Sequence, residues 1–232
     1  MTDRIIKAGM DNAAHGAALA RAALIRTAEL QERGEAAWFR FDFACIGPRE
    51  ADRQHYIALR DRRRELALAR APMREIIAVG RDLDAIELEA KWQDEFRNLV
   101  TTGGKNDALD KYFAGSGYTA AWYLLLIGST GYSALNAADT MASHAGWTES
   151  VAYSNASRPT LAFAAASGGS KATSAAASFT INATDTIKGA ATTTVNTKSG
   201  TTGILYSAGL FTGGDRAVAN GDTLQVSGSW SL

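Results

Sequence analysis

Apolar and polar positions alternate along the last ten residues of the chain. Glutamine or serine fills each position between the apolar ones, and a glycine takes one position on the apolar side. A repeat of two residues places the apolar side chains on one face of an extended chain, which is typical of a half-buried β-strand. We therefore expect the chain to end inside a β-sheet. The apolar positions are Leu224, Val226, Trp230 and Leu232.

A short apolar run, AWYLLLI at residues 121–127, precedes a glycine. A run of this length without polar alternation predicts a strand that is buried on both faces. Further short strands are expected in the same half of the chain, separated by Gly, Ser, Asn and Asp. Because no helical segments separate them, an antiparallel sandwich or jelly roll is favoured over a parallel α/β sheet. The further strands are predicted at residues 151–153, 160–166, 177–181, 186–194, 204–210 and 223–232.

Residues 10–33 are rich in alanine and poor in strand-forming residues, and a glycine follows at position 34. Alanine has the highest helix propensity and glycine commonly ends helices, so this segment predicts a helix. Ala14, Ala17 and Ala18 fall close to helical spacing and give this helix a face of small residues. Such a face lets another helix approach closely, either from the same chain or from a neighbouring subunit.

Aromatic residues alternate between positions 37 and 46, at Phe39, Phe41 and Phe43. The alternation indicates a short extended segment or a buried aromatic connector. No partner strand for this segment is evident from the sequence.

Gly47-Pro48 predicts the start of a helix over about residues 48–70, because proline suits the first helical position. Pro72 then breaks or kinks the chain. A second helix is predicted to about residue 100, since apolar residues recur there every three or four positions and charged residues fall between them. The recurring apolar residues are Leu88, Trp92, Phe96 and Leu99.

Thr102-Gly103-Gly104 predicts the end of that helix, and a short helix is expected over about residues 106–113. The fold class predicted from these patterns is α+β. An N-terminal α-helical domain, residues 1–100, is followed by an antiparallel β-sandwich or jelly-roll domain, residues 101–232. Because the second part carries its own strands, we expect the chain from Asn98 onward to fold without the first part.

Charge divides the chain at the same place as the predicted structure. The first 100 residues hold 17 of the 24 lysines and arginines and 17 of the 24 aspartates and glutamates, and the formal net charge is zero. A single cysteine, Cys45, excludes an internal disulfide and offers no zinc-ligand cluster. No apolar run approaches the ~20 residues that span a bilayer, and no secretion signal is evident. We expect no membrane contact and synthesis in a reducing cytoplasm.

The residue types that carry chemistry do not fall into a catalytic or cofactor-binding pattern. The three histidines lie on separate predicted elements, and neither glycine-rich loop that contains lysine completes a phosphate-binding loop. Asp139, His144 and Glu149 lie near one another but match no metal-ligand spacing, so a structural loop is favoured. Asn220-Gly221-Asp222 lacks the calcium-loop spacing and is better explained as a tight β-turn. We expect no cofactor, no metal and no enzymatic activity.

Four arginines lie between positions 60 and 64. Asp61 and Glu65 interleave with them, so a solvated helix face or ion pairs between subunits is favoured. Contact with nucleic acid is the less favoured alternative, because it requires a clear excess of positive charge. The arginines are Arg60, Arg62, Arg63 and Arg64.

Several sequence blocks after residue 97 resemble a family of small virion proteins of tailed bacteriophages. The blocks read NLVTTGGKNDALDKYFAGS, AWYLLLIGS, DTMASHAGWTE and GTTGILYSAGLFTGGDRAVANGDTLQVS. The resemblance covers about residues 98–232 and includes no catalytic signature. It implies a β-rich structural module of a phage particle, and it supplies no active-site residues.

We therefore expect a structural component of a tailed-phage virion, made in the cytoplasm of the bacterial host. A head-to-tail connector (adaptor) is favoured, with the helices packed in a ring at the portal and the β domain projecting outwards. The alternatives are a capsid decoration, cement or fibre protein, and a receptor- or glycan-binding module that uses Trp122, Trp147 and Tyr153.

The expected partners are portal, tail or capsid subunits and further copies of the chain. The helical part is expected to make these contacts, because its small-residue face and apolar stripes need partners and its balanced charges suit pairing between subunits. The residues expected at this assembly interface are Ala14, Ala17, Ala18, Arg60, Arg63, Trp92 and Phe96.

Overall fold

The computed structural model describes residues 38–113, 115, 117 and 122–231, so the helix predicted over residues 10–33 lies outside the described residues. The described residues form a mixed, mostly β structure with three α-helices and one 3-10 turn, Glu50–Asp52. The helices are α1 Arg53–Leu68, α2 Met73–Asp84 and α3 Thr102–Phe113. The strands are β1 Trp38–Pro48, β2 Leu88–Arg97, β3 Leu99–Val100, β4 Tyr123–Gly128, β5 Glu149–Ser150, β6 Ser170–Ala172, β7 Ala177–Thr180, β8 Asp185–Thr193, β9 Leu205–Leu210, β10 Arg216–Val218 and β11 Thr223–Ser231.

The strands form two antiparallel sheets. The first sheet has the order β2-β1-β11-β6, and β7 also pairs with β11. The second sheet has the order β3-β9-β8-β4-β5, and β10 also pairs with β8. In the first sheet β1 pairs with β11 from Trp38 opposite Ser231 to Ile46 opposite Thr223. This sheet therefore joins the two ends of the described chain.

Residues of both sheets form one hydrophobic cluster. Aromatic rings make its centre. Phe43 of β1 lies 5.3 Å from Phe96 of β2 and 4.8 Å from Phe211, which directly follows β9 of the second sheet, measured between ring centroids. Leu124 and Leu126 of β4 reach this cluster from the second sheet. The side chains of Leu125 and Ile127 point to the other face of β4 and join a second cluster with Met141 and Trp147.

The patterns of β4 and β11 are confirmed. Leu124 and Ile127, with the two leucines between them, are fully buried, as expected for a strand covered on both faces. Leu224 and Val226 of β11 are also fully buried. Gln225 and Ser227, which alternate with them, are half-buried. Ser229 departs from the predicted polar face, because it too is buried.

The aromatic segment before residue 47 is a strand with two partners. It forms β1, which pairs with β11 on one side and with β2 on the other. Phe41 is fully buried and Phe43 nearly so. The partners were not evident from the sequence because one lies near the C-terminus and the other was predicted to be helical.

The prediction of a helix that continues to residue 100 is wrong, because Leu88–Arg97 forms β2. Leu88, Trp92 and Phe96 are spaced by four residues, which fits one face of a helix and also one face of a strand. The strand forms because β1 offers a matching row of side chains, with Phe41 opposite Phe96 and Cys45 opposite Trp92. Cross-strand aromatic pairs of this kind stabilise a sheet.

The prediction that Thr102-Gly103-Gly104 ends a helix is also wrong, because these residues begin α3. The hydroxyl of Thr101 caps the helix by accepting a hydrogen bond from the amide of Gly104 at 3.0 Å. Glycine is needed at position 104 for a close approach, since a Cβ atom there would overlap the carbonyl oxygen of Tyr206 in β9.

The predicted strands at residues 151–153 and 160–166 are not regular strands. Tyr153, Thr160 and Phe163 each make an isolated β-bridge instead. The three-residue strands β6 and β10 were not predicted, because segments so short carry no recognisable alternation.

A division at residue 100 does not separate the two sheets. The strands β1 and β2 precede residue 100, yet they belong to the same sheet as β11. The residues before position 100 therefore supply two strands as well as α1 and α2. What was predicted as a helical domain is, within the described residues, a helical insertion in the β structure.

Candidate assembly surface

Residues 49–87 form a helical hairpin that replaces the turn between two neighbouring strands. Pro48 at the end of β1 pairs with Leu88 at the start of β2, and α1 and α2 pack against each other between them. The break at Pro72 is confirmed by the start of α2 at Met73. The predicted helix before it exists, but its predicted start at Pro48 is wrong, because Pro48 ends β1 and α1 begins at Arg53. Arg70 adopts a φ of 52° between the helices, a left-handed conformation that reverses the chain.

The base of the helical hairpin is fixed by a buried carboxylate. Asp222 is fully buried, and its Oδ1 atom accepts a hydrogen bond from Arg53 Nη1 of α1 at 2.9 Å. Its Oδ2 atom accepts from Lys91 Nζ of β2 at 2.9 Å and from the amide of Ala219 at 2.9 Å. One carboxylate therefore connects α1 and β2 to the turn before β11.

Two glycines make room for this carboxylate. A Cβ atom at Gly47 would overlap Asp222 Oδ1, so only glycine lets β1 pass so close to it. Gly221 has a φ of 96°, which only glycine adopts readily, and this turns the chain so that Asp222 faces inward. The prediction of a tight turn at residues 220–222 agrees with this geometry.

Arg60 adds a second connection two turns further along α1. Its Nη2 atom donates to Asn220 Oδ1 at 2.9 Å, and its Nη1 atom donates to the carbonyl of Ile181 at 3.3 Å. Arg60 was predicted to lie at an assembly interface. The structure places it at the base of the helical hairpin, in contact with its own chain.

Burial and charge shift two pKa values at this base. Burial raises the pKa of the Cys45 thiol to about 12, and the neighbouring negative charge of Asp222 adds to this. For Arg53, burial lowers the pKa, but hydrogen bonds to Asp222 and Glu50 outweigh burial and raise it overall. Cys45 is therefore an inert thiol, and Arg53 stays charged.

The outer end of the helical hairpin exposes apolar side chains. Leu68 is 76% exposed, Met73 is 68% exposed and Ile77 is 49% exposed. In the described structure no residue of α2 is buried. Apolar side chains grouped in this way at the end of a projecting element are typical of an interaction surface.

Four exposed arginines lie close in sequence to these apolar residues. Arg63, Arg64, Arg70 and Arg74 are exposed, and none of them makes an ion pair within the part of the chain that the structure describes. Arg63 was predicted at the interface, and its position on α1 beside Gly80 of α2 is compatible with that role.

The other predicted interface residues lie elsewhere. Phe96 is 4% exposed and packs in the core of its own chain, so it is not available to a partner. Trp92 is half-buried on β2, where its indole N–H donates to the carbonyl of Ala217 at 2.8 Å. Both residues were assigned to an interface because β2 was taken for an amphipathic helix. Ala14, Ala17 and Ala18 lie outside the described residues.

The loop from Asp139 to Glu149 is held by contacts within the chain. Asp139 Oδ2 accepts a hydrogen bond from the indole N–H of Trp147 at 2.9 Å, and the ring of His144 stacks on Trp147. Glu149 forms a buried ion pair with Arg158 at 2.7 Å. Among the described residues no group of three or more His, Cys, Asp or Glu side chains is placed to hold a metal ion.

A cavity of about 230 Å³ lies beside this loop. Its lining includes Trp147, His144 and Arg158. The Arg158 guanidinium is already engaged by Glu149 and by the carbonyls of Val195 and Gly200. The polar groups of the cavity therefore serve to hold the surrounding loops together.

Two of the three aromatic residues considered for glycan binding are buried. Trp147 is 2% exposed and Tyr153 is 1% exposed, whereas Trp122 is half-buried against Tyr206. Burial raises the pKa of the Tyr153 hydroxyl, and the negative charge of Glu149 adds to this. Neither Trp147 nor Tyr153 offers the open face on which a sugar would stack.

Sequence analysis did not identify the residues that matter most here. Asp222 was interpreted only as a turn residue, and Arg53 and Lys91 were not singled out. The exposed Met73 and Ile77 were also missed, although their spacing of four residues after a proline was a usable signal.

Comparisons with known proteins assign no family. A scan against models of protein families finds no match to this chain. A search of curated proteins finds no significant relative.

Among the helices in the described part of the chain, none is both long and apolar enough to cross a bilayer.

Proposed function

We propose that this chain is a structural component of a tailed-bacteriophage virion, where it serves as a head-to-tail connector. The observation that carries the proposal is the helical hairpin. It is anchored at its base through Arg53 and Asp222, and it presents exposed Leu68, Met73 and Ile77 at its outer end. A projection that is held firmly and ends in apolar side chains is suited to docking against another subunit.

We also propose that the two sheets form a β-sandwich, which is the body of the connector and projects outwards from the ring. The hydrophobic cluster shared by both sheets supports this arrangement. The resemblance of residues 98–232 to phage virion proteins concerns the same part of the chain.

A non-enzymatic role agrees with how the buried charged side chains are used. Asp222 is neutralised by Arg53 and Lys91, and Glu149 by Arg158. These groups hold loops and helices in place, and each is occupied by partners from its own chain. They act as structural ion pairs in the proposed role.

The proposed partners are portal, tail or capsid subunits together with further copies of this chain, and the proposed location is the virion. The exposed arginines of the helical hairpin make acidic protein surfaces the favoured targets, and nucleic acid the less favoured one.

A capsid decoration, cement or fibre protein is the second candidate, since an exposed projection could also attach to a shell. The burial of Trp147 and Tyr153 counts against a glycan-binding module.

The test is made on particles of the phage that encodes the chain. We expect mass spectrometry to detect the chain in purified virions and a cryo-EM map to place it at the junction of portal and tail. We expect that replacing both Ala17 and Ala18 by glutamate will lower incorporation, whereas Ala142→Glu, in an exposed loop, will not. Density on the capsid faces would support the decoration role instead, and absence from virions would refute the proposal.

A further inference from the structure

The tip of the helical hairpin, residues 66–74, contains no acidic and no neutral polar side chain. It reads LALARAPMR, which is seven apolar residues and two arginines. Leu68 ends α1 and Met73 begins α2, and these side chains are 76% and 68% exposed. Arg70 and Arg74 are exposed beside them. The tip therefore combines apolar contact area with positive charge alone.

Three acidic residues lie close behind the tip. Asp61 and Glu65 each pair with an arginine of α1, at 3.5 and 3.7 Å. Glu75 makes no ion pair among the described residues, but it is two positions from both Met73 and Ile77, which places it on the opposite side of α2. The four exposed arginines without an ion pair, named above, outnumber this one acid. The outer end of the helical hairpin therefore carries an excess of unpaired positive charge.

The exposed side of α2 stays apolar and positive for two turns from the tip. Ile77 lies one turn after Met73 and is 49% exposed, and Arg81 lies one turn further and is exposed too. Asp84 is the first acid on this side, seven residues or about 10 Å beyond Ile77 toward the base. Asp82 is turned about 140° around the helix from Ile77. A partner that contacts the tip and this side meets arginines first.

We propose that the tip docks into an apolar groove of a neighbouring subunit of the particle, and that carboxylates at the rim of the groove pair with Arg70 and Arg74. The groove takes up Leu68, Met73 and Ile77, which are otherwise exposed to water. Arginine binds a carboxylate through two parallel hydrogen bonds, which fixes the orientation of the contact as well as its strength. The neighbouring subunit is defined here by its chemistry, and its presence rests on the proposed virion role.

Other occupants fit the tip less well. Nucleic acid offers phosphates to the arginines but leaves the apolar side chains without a partner. At a bilayer, Leu68 and Met73 offer less apolar surface than one fatty acyl chain, which alone anchors a protein only marginally. Insertion as deep as Ile77 would bring Glu75 into a negative headgroup layer. The tip of a second copy carries the same excess of positive charge, which opposes association.

The native methionines measure whether the tip is docked. Peroxide oxidises an exposed methionine to the sulfoxide. In the free chain we expect Met73, 68% exposed, to react readily and Met141, 2% exposed, to resist. In purified particles Met73 should react about tenfold more slowly than in the free chain, since the side chain must first leave the groove. The matched control is Leu109→Met on α3, a position that is 54% exposed and should react equally in both samples.

A carbodiimide identifies the carboxylates at the rim. It joins a lysine amine to a neighbouring carboxylate as an amide, with loss of water. Arg70→Lys and Arg74→Lys each place such an amine at the tip and keep its charge. In particles we expect mass spectrometry to find the new lysine joined to an aspartate or glutamate of a neighbouring subunit. Ala142→Lys, in an exposed loop, should give no such product.

Reversal of one charge tests the pairing. Arg74→Glu in the full chain should lower the number of copies per particle about tenfold or more, because it sets like charges against each other at the rim. Arg62→Glu makes the same change of charge on α1, six residues before Leu68, and should have little effect. Because α2 contains no buried residue, Arg74→Glu is expected to keep the circular dichroism spectrum of the parent.

Different results would overturn this inference and the virion role. If the chain is present in particles and Met73 reacts as fast as in the free chain, or is slowed no more than Leu109→Met, the tip is not docked although the virion role stands. Equal incorporation of Arg74→Glu and Arg62→Glu would also refute the docked tip. Binding of the free chain to phosphatidylglycerol vesicles that is lost in Arg74→Glu would assign the tip to a membrane. Absence of the chain from particles would refute the virion role and this inference together.

Discussion

Replacing Asp222 by asparagine removes the charge at the base of the helical hairpin and keeps the shape of the side chain. The Asp222 side chain is fully buried and that of Arg53 is 7% exposed. An asparagine can still accept a hydrogen bond from Arg53. Its amide N–H group would then face Lys91 Nζ and the amide of Ala219, which are both donors. The three hydrogen bonds that Oδ2 accepts, from Lys91, Ala219 and the Cys45 thiol, are lost, and the guanidinium keeps its charge without a buried anion.

The structure sets the size of the effect. Removing one partner of a buried ion pair costs about 3–5 kcal/mol of unfolding free energy. Lys91 is 26% exposed and can turn toward water, and Arg53 keeps its ion pair with Glu50 at 2.7 Å. Both reduce the loss, so we expect about 3 kcal/mol. With a urea dependence of about 2 kcal/mol per molar, the unfolding midpoint should fall by about 1.5 M.

The assay is urea unfolding followed by circular dichroism, with Asp215→Asn as the control. Asp215 pairs with Lys188 at 2.7 Å, but these side chains are 39% and 25% exposed. Its loss should cost about 0–1 kcal/mol. Hydrogen exchange supplies a local measurement, since amides in the first turns of α1 should exchange faster in Asp222→Asn.

Equal midpoints for Asp222→Asn and Asp215→Asn would refute the reasoning. A second variant separates loss of the ion pair from loss of packing. Arg53→Met combined with Asp222→Leu replaces the pair by apolar side chains, and it should recover much of the stability. If the double variant is no more stable than Asp222→Asn, the cost does not come from the unpaired charge.

Three further predictions concern the thiol, the sheet and the helical hairpin. Burial raises the pKa of the Cys45 thiol to about 12 from its ordinary value of 9.0. Between these pH values the unfolded chain loses its thiol proton first, so the unfolding free energy falls by about 1.4 kcal/mol per pH unit. Urea titrations at pH 9 to 11 should show a shallower fall for Cys45→Ala, and an unchanged slope would contradict this. A chain starting at Asn98 lacks β1 and β2 and should show no cooperative thermal melt, contrary to the expectation from sequence. Replacing residues 49–87 by a two-residue turn, together with Asp222→Asn, should preserve the melt, since Pro48 and Leu88 are already paired.

Elements whose conformation is set by residues close in sequence were predictable. The apolar run of β4 and the alternation of β11 specify buried strands directly, because the side-chain period of a strand is two. The break at Pro72 separated α1 from α2, because proline lacks the amide proton that a continuing helix needs.

The conformation of residues 88–97 was decided by tertiary contacts. A spacing of four residues is compatible with both a helix and a strand, so Leu88, Trp92 and Phe96 could not settle it. The position of Phe41 opposite Phe96 decides for the strand. Pairing with β1 satisfies the backbone hydrogen bonds of β2 and at the same time buries its aromatic side chains.

The base of the helical hairpin depends on the tertiary structure in the same way. Asp222 is 169 residues from Arg53 and 131 residues from Lys91 along the chain. Local pattern identifies the turn that carries Asp222, because glycine at position 221 permits the required φ. The local pattern cannot identify Arg53 and Lys91 as the partners of Asp222. A buried carboxylate pairs with whichever positive side chains the fold brings within hydrogen-bonding distance.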